Sequence, residues 1–119
     1  MKLFRILLVS VVTAASCGAA FAHAVVISAS PRAEARIPAT ELPIEIRFNS
    51  RIDAERSNLK LFKADGSATV LPVLDAGSAD ALKSRATDLS PGQYRLHWQT
   101  LSPDGHISQG DIPFTVSPP

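Results

Sequence analysis

Leu42-Pro43-Ile44-Glu45-Ile46-Arg47-Phe48 alternates apolar and polar residues with a period of two. Successive side chains of a strand point to opposite faces, so this run reads as a half-buried strand with Leu42, Ile44, Ile46 and Phe48 turned inward. A second run, Tyr94-Arg95-Leu96-His97-Trp98-Gln99, puts Tyr94, Leu96 and Trp98 on one face and Arg95, His97 and Gln99 on the other. Ile112, Phe114 and Val116 repeat the pattern around Pro113. Shorter runs flank these: Ala24-Val25-Val26-Ile27, residues 58–63 with Leu59 and Leu61 on one face, and residues 70–74. Pro72 directs the last of these to a sheet edge, because proline has no N–H for a central ladder. Nine prolines and six glycines punctuate the chain at short intervals, and no long helical pattern appears. The fold class is all-β, a sandwich or small Greek-key barrel.

Two stretches carry no clear period. Residues 50–56 are irregular, and residues 78–88 fit a loop, a short helical turn or a ragged strand. Leu89-Ser90-Pro91-Gly92-Gln93-Tyr94 reads as a tyrosine corner, in which a Tyr at a strand start bonds back to the preceding turn.

The 119 residues divide unequally. Lys2 and Arg5 open the chain, an uncharged apolar run follows, and Ala20-Phe21-Ala22 fits a small-x-small cleavage site. Residues 1–22 are therefore expected to be a secretory signal, and residues 23–119 the mature domain. A retained anchor is the alternative, although the apolar run is short for a spanning helix. Lipidation at Cys17 is another, although Ala14 stands where such signals usually carry Leu. About 100 residues suffice for one self-sufficient core.

Cleavage after Ala22 would remove the single cysteine and the single methionine. An intrachain disulfide is excluded, and so is every soft sulfur ligand. The formal charge is +1, and without Lys2 and Arg5 ten basic residues face eleven acidic ones. No basic face for a nucleic acid is indicated. No nucleophile elbow, paired carboxylate site or glycine-rich phosphate loop supports an enzyme.

The chemistry lies in three histidines, His23, His97 and His106. As first residue of the mature chain, His23 offers an α-amine and an imidazole, which have reference pKa values near 8 and 6.5. Together they form a chelate suited to Cu(II), which prefers nitrogen and oxygen ligands in a tetragonal plane. Asp104-Gly105-His106 supplies a carboxylate and a second imidazole. In an extended segment residues two apart share a side, and Gly105 and Pro103 shape the approach. Read alone, Asp-Gly is simply a turn and His106 a surface residue. The coexistence of this motif with His23, in an exported chain nearly free of other histidines, favours a metal site. His97 lies with Arg95 and Gln99 on the polar face and reads as solvent-facing or at the rim. Trp98 reads as a core residue, and Asp53, Glu55, Asp75 and Asp80 as solvated surface.

The chain resembles the CopC family of periplasmic copper-binding proteins. The resemblance is carried by His23-Ala24, Ser30-Pro31, Pro43-Ile44-Glu45-Ile46-Arg47-Phe48 and Leu89-Ser90-Pro91-Gly92-Gln93-Tyr94-Arg95-Leu96-His97-Trp98. Its strongest part is Ser102-Pro103-Asp104-Gly105-His106, followed by Gly110, Phe114 and Val116. It implies a seven-stranded Greek-key barrel or sandwich of cupredoxin- or immunoglobulin-like type. It also implies one Cu(II) at one end, held by His23, Asp104 and His106. A periplasmic location, a role in copper resistance or uptake, and a CopD-like inner-membrane partner follow from the same resemblance. The proline-rich edges suggest a monomer. Two departures stand out. The mature chain lacks the methionines of the Met-rich Cu(I) site found in some members, and Ser50 stands where many carry a Glu near the Cu(II) site. Two other functions fit the residues: a copper-dependent oxidative enzyme with a histidine brace, and a metal-free immunoglobulin-like interaction module.

Overall fold

A computed structural model describes residues 24–118. The expected signal at 1–22, Cys17 within it, and His23 lie outside the described residues.

The described chain forms eight strands and no helix: β1 (Val26–Ser30), β2 (Ala35–Ile37), β3 (Leu42–Phe48), β4 (Asp53–Lys63), β5 (Ala68–Leu71), β6 (Ala81–Ala86), β7 (Gly92–Leu101) and β8 (Ile107–Val116). They make two sheets, β1-β3-β6 and β2-β8-β7-β4-β5. The all-β class is as expected. The architecture is a sandwich with open edges, not a closed barrel, and it has eight strands where seven were expected. The unanticipated strand is β2, which pairs in parallel with β8 through Ala35, Arg36 and Ile37. Three residues are too few to display a period in the sequence.

The alternation read in β3 is realised: Leu42, Ile44, Ile46 and Phe48 are buried, with Pro43 and Arg47 exposed between them. Across the sandwich they meet Leu59, Leu61, Leu96, Trp98, Ile112 and Phe114 in one core. Each such side chain contributes roughly 1.5–3 kcal/mol by leaving water. Phe48 meets Trp98 edge to face, with centroids 5.2 Å apart. This places a large aromatic pair between the sheets, as expected for Trp98.

The ambiguous segments have local causes. β6 points Leu82, Ser84 and Ala86 inward, and the hydroxyl of Ser84 is satisfied by the Pro72 carbonyl at 2.6 Å. A polar residue on the buried face hides the strand's period in the sequence. β4 begins at Asp53, and its pairing with β7 shifts register between Asp53 and Asn58. There Ser57 turns inward and donates to the Asp53 carbonyl at 2.6 Å. The bulge breaks the period of two. β5 ends at Leu71 and lies at a sheet edge, as Pro72 required.

β7 and β8 are joined through ten consecutive residue pairs, from Gly92 with Val116 to Leu101 with Ile107. One end of this hairpin is closed by the tyrosine corner. The Tyr94 hydroxyl donates to the Ser90 carbonyl at 2.8 Å and accepts from the Ser90 N–H at 3.1 Å. Three pairs in from the other end, the Trp98 indole packs against Gly110, where a Cβ would stand 2.7 Å from Cζ2. Two losses of stability are expected in thermal or denaturant unfolding. Tyr94→Phe removes both corner bonds and should cost about 1–2 kcal/mol. Gly110→Ala forces the indole aside and should cost about 1–3 kcal/mol. Unchanged stability in either variant would contradict the packing described.

Candidate metal centre

The ladder of β7 and β8 ends in the five residues Ser102-Pro103-Asp104-Gly105-His106. The Gly105 N–H donates to the Ser102 carbonyl at 2.9 Å, and the Ser102 N–H donates to the His106 carbonyl at 2.8 Å. Pro103 suits the second position of such a turn because its φ is already set. Gly105 has φ +89°, a left-handed conformation that disfavours a side chain. Asp104 and His106 therefore converge because the chain turns tightly between them. The expected mechanism, two residues on one side of an extended segment, is corrected: neither residue belongs to a strand.

The turn brings the two expected donors into contact. His106 Nδ1 stands 3.0 Å from Asp104 Oδ2, and both side chains are more than half exposed. The second carboxylate oxygen of Asp104 accepts a short hydrogen bond from the Ser102 hydroxyl. That bond, with the weaker help of His106, lowers the Asp104 pKa from 3.8 to about 2. Ser102 is itself buried, and its Oγ also accepts from the His106 N–H at 3.0 Å. One hydroxyl thus orients both the carboxylate and the backbone of the histidine. Sequence reading gave Ser102 no role of its own. The available signal was its place at the first position of a turn, where Ser is favoured.

The start of the described chain lies beside this hairpin. The Ala24 N–H donates to Ser108 Oγ at 3.1 Å, two residues beyond His106. The Val25 N–H donates to Asn49 Oδ1 at 2.9 Å, and the Asn49 N–H returns a bond to the Val25 carbonyl at 2.9 Å. Ser50, next in sequence, has a buried hydroxyl with no hydrogen-bond partner among the described residues. Among these residues no group of three or more His, Cys, Asp and Glu side chains is placed to hold a metal. Asp104 and His106 are brought together, and His23 lies outside the described residues.

His97 is elsewhere. It pairs with Asp111 across the ladder, four residue steps or about 13 Å along the strands from the hairpin end. Its Nδ1 lies 2.8 Å from Asp111 Oδ1, and Arg95 reaches the same oxygen at 2.8 Å. Burial works to raise the Asp111 pKa, but the bonds from His97 and Arg95 outweigh it and the net shift is downward. Arg95 also lies over the Phe62 ring, 4.2 Å from its centroid. His97 therefore belongs to a cross-strand polar network on the outer sheet face. Its side chain is only partly exposed, at the rim of that face, and the Asp111 partner was not foreseen.

The role of Ser102 is measurable without any metal. In Ser102→Ala the Asp104 pKa should rise from about 2 towards its ordinary value near 3.9. Carboxylate chemical shifts followed against pH report this directly, and an unmoved titration would remove Ser102 from the site.

Comparison with known proteins places this arrangement. Residues 26–117 match the CopC domain. Copper resistance protein C of Xanthomonas campestris pv. juglandis is 32% identical over 129 aligned residues, taking in 98% of this chain and 99% of that protein. Copper transport protein CutJ of Bacillus subtilis (strain 168) is 25% identical over 104 residues. That match takes in 81% of this chain but only 18% of CutJ, so the chain spans a small part of that relative. Among solved structures, CopC from Methylosinus trichosporium OB3b superposes with a TM-score of 0.73 at 28% identity, covering 81% of this chain and 95% of that one. PcoC from Escherichia coli gives 0.68 at 23% identity over 81% and 100%, a likeness of fold alone. With its fold, its hairpin motif and these relatives in agreement, the chain belongs to the CopC family.

Proposed function

We propose that this chain is a periplasmic carrier of one Cu(II), used in copper resistance or uptake, with His23, Asp104 and His106 as its ligands. Copper is its cargo, and no catalytic step is assigned. The observation that carries the reading is the contact of the two hairpin donors at 3.0 Å. Nitrogen and oxygen donors stand about 2.0–2.1 Å from a divalent first-row ion, so neighbours in a square plane are about 2.9 Å apart. Asp104 and His106 already have that spacing.

Two further observations support it. The Ala24 N–H is tied to Ser108, close in sequence to His106, and His23 is the residue covalently attached to that nitrogen. The donor set of two imidazoles, one amine and one carboxylate is rich in nitrogen and lacks sulfur, which suits Cu(II). The relatives are named for copper resistance and copper transport, in keeping with a carrier. An exported chain fits the expected signal at residues 1–22, and a CopD-like membrane protein is the proposed recipient. The domain acts as a monomer on this reading.

Three outcomes are expected. His106→Ala, and separately His23→Ala, should weaken Cu(II) binding by more than about 100-fold in a competition titration. One extra residue before His23 should do comparable damage, because the chelating amine becomes a distant amide. Full affinity in the extended chain would remove the amine from the site. The third outcome concerns acid. Asp104 has its pKa lowered to about 2, so its carboxylate stays ionised while pH falls from 7 to 4. Copper release over that range should therefore follow protonation of the nitrogen donors. Asp104→Asn should weaken binding by a similar factor at every pH in the range, so the slope of log Kd against pH stays the same while the release midpoint moves to higher pH. A changed slope would contradict this.

A further inference from the structure

We infer that Ser108 and Asn49 act as a two-point clamp that positions the first residue of the mature chain for metal binding. The inference rests on the Cu(II) reading above and adds positioning residues to it.

The clamp is built from both sheets. Asn49 follows β3 of the three-stranded sheet, and Ser108 lies in β8 of the five-stranded one. Their side chains accept hydrogen bonds from consecutive main-chain N–H groups, Val25 to Asn49 Oδ1 at 2.9 Å and Ala24 to Ser108 Oγ at 3.1 Å. The return bond from the Asn49 N–H to the Val25 carbonyl closes a two-way pairing. The ladder of β1 starts only at Val26, opposite Phe48, and shifts register before Ser28. The two side chains therefore extend strand-like fixation by two residues beyond the strand. Ala24 is also buried, at 6% exposure, so packing holds it from the other side.

A chain end is ordinarily frayed. Two donors on a frayed end bind weakly, because the competent arrangement is populated only part of the time. The Ala24 nitrogen held on Ser108 is the atom to which residue 23 is bonded, so the attachment point of that residue is fixed. The two residues that follow His23 are thereby held before copper arrives, which is where preorganisation adds affinity. Neither side chain needs to touch the ion.

A double-mutant cycle tests this on the processed full-length domain. Ser108→Ala leaves the main-chain ladder of β7 and β8 intact. It should weaken Cu(II) binding by about tenfold, the equivalent of one net hydrogen bond. Ser108→Thr, which keeps the hydroxyl, should restore most of it. Asn49→Ala should act in the same direction. The second background carries His23→Ala with one extra residue ahead of it, so that residue 23 offers no donor. There Ser108→Ala should have no further effect, since it acts only through residue 23. In the metal-free protein, amide exchange at Ala24 and Val25 should speed up in both clamp variants. Unchanged affinity and exchange, or an equal loss in both backgrounds, would overturn the clamp. Absence of tight Cu(II) binding in the unsubstituted chain would instead overturn the reading beneath it.

Discussion

The ladder between β7 and β8 is the constraint on which the rest depends. Ten consecutive pairs hold these strands in a single register, with Leu96, Trp98, Ile112 and Phe114 in the core. A slip of one residue would turn that whole set to the solvent. Because the register is fixed at the core, the geometry of the turn at its end is fixed as well. Asp104 and His106 are separated by one glycine, and their donor atoms meet at 3.0 Å. The same ladder positions Ser108 to receive the Ala24 N–H.

Stability and the candidate site are thus coupled through few residues. Trp98 needs the bare backbone of Gly110 and touches Phe48, whose strand leads directly into Asn49. Asn49 in turn binds the first strand. The hydroxyl of Ser102, buried beneath an otherwise exposed turn, holds the Asp104 carboxylate ionised far below the usual range. A surface site built in this way has its acidic donor prepared by a neutral neighbour.

Much of this was legible in the sequence because periodicity reports burial. The runs at 42–48, 94–99 and 112–116 alternate cleanly, and each buries the face the alternation names. The tyrosine corner was legible for a similar reason, since Pro91 and Gly92 mark the turn to which Tyr94 bonds. What escaped was short, irregular or long-range. Three residues of β2 cannot show a period. Ser84 and Ser57 place hydroxyls on inward faces, and those hydroxyls are satisfied by carbonyls that only the fold brings near. The Asp104 and His106 pair was identified by residue type, but the reason for its convergence was a turn and not an extended run. Ser108 and Asn49 carry no sign of their roles, because each role is defined by a partner whose position depends on the fold, and Ser102 shows only its favoured place at the start of the turn.

The most direct test of the account counts nitrogen donors on the bound ion. The processed protein, its first residue verified as His23 by intact mass, is loaded with one equivalent of Cu(II) and studied by pulsed electron paramagnetic resonance with 15N-labelled histidine. The expected result is a tetragonal Cu(II) with two imidazole couplings, one of which disappears in His106→Ala. A tightly bound Cu(II) with a single imidazole coupling, unaffected by that substitution, would contradict the claim that the hairpin and the chain start form one site.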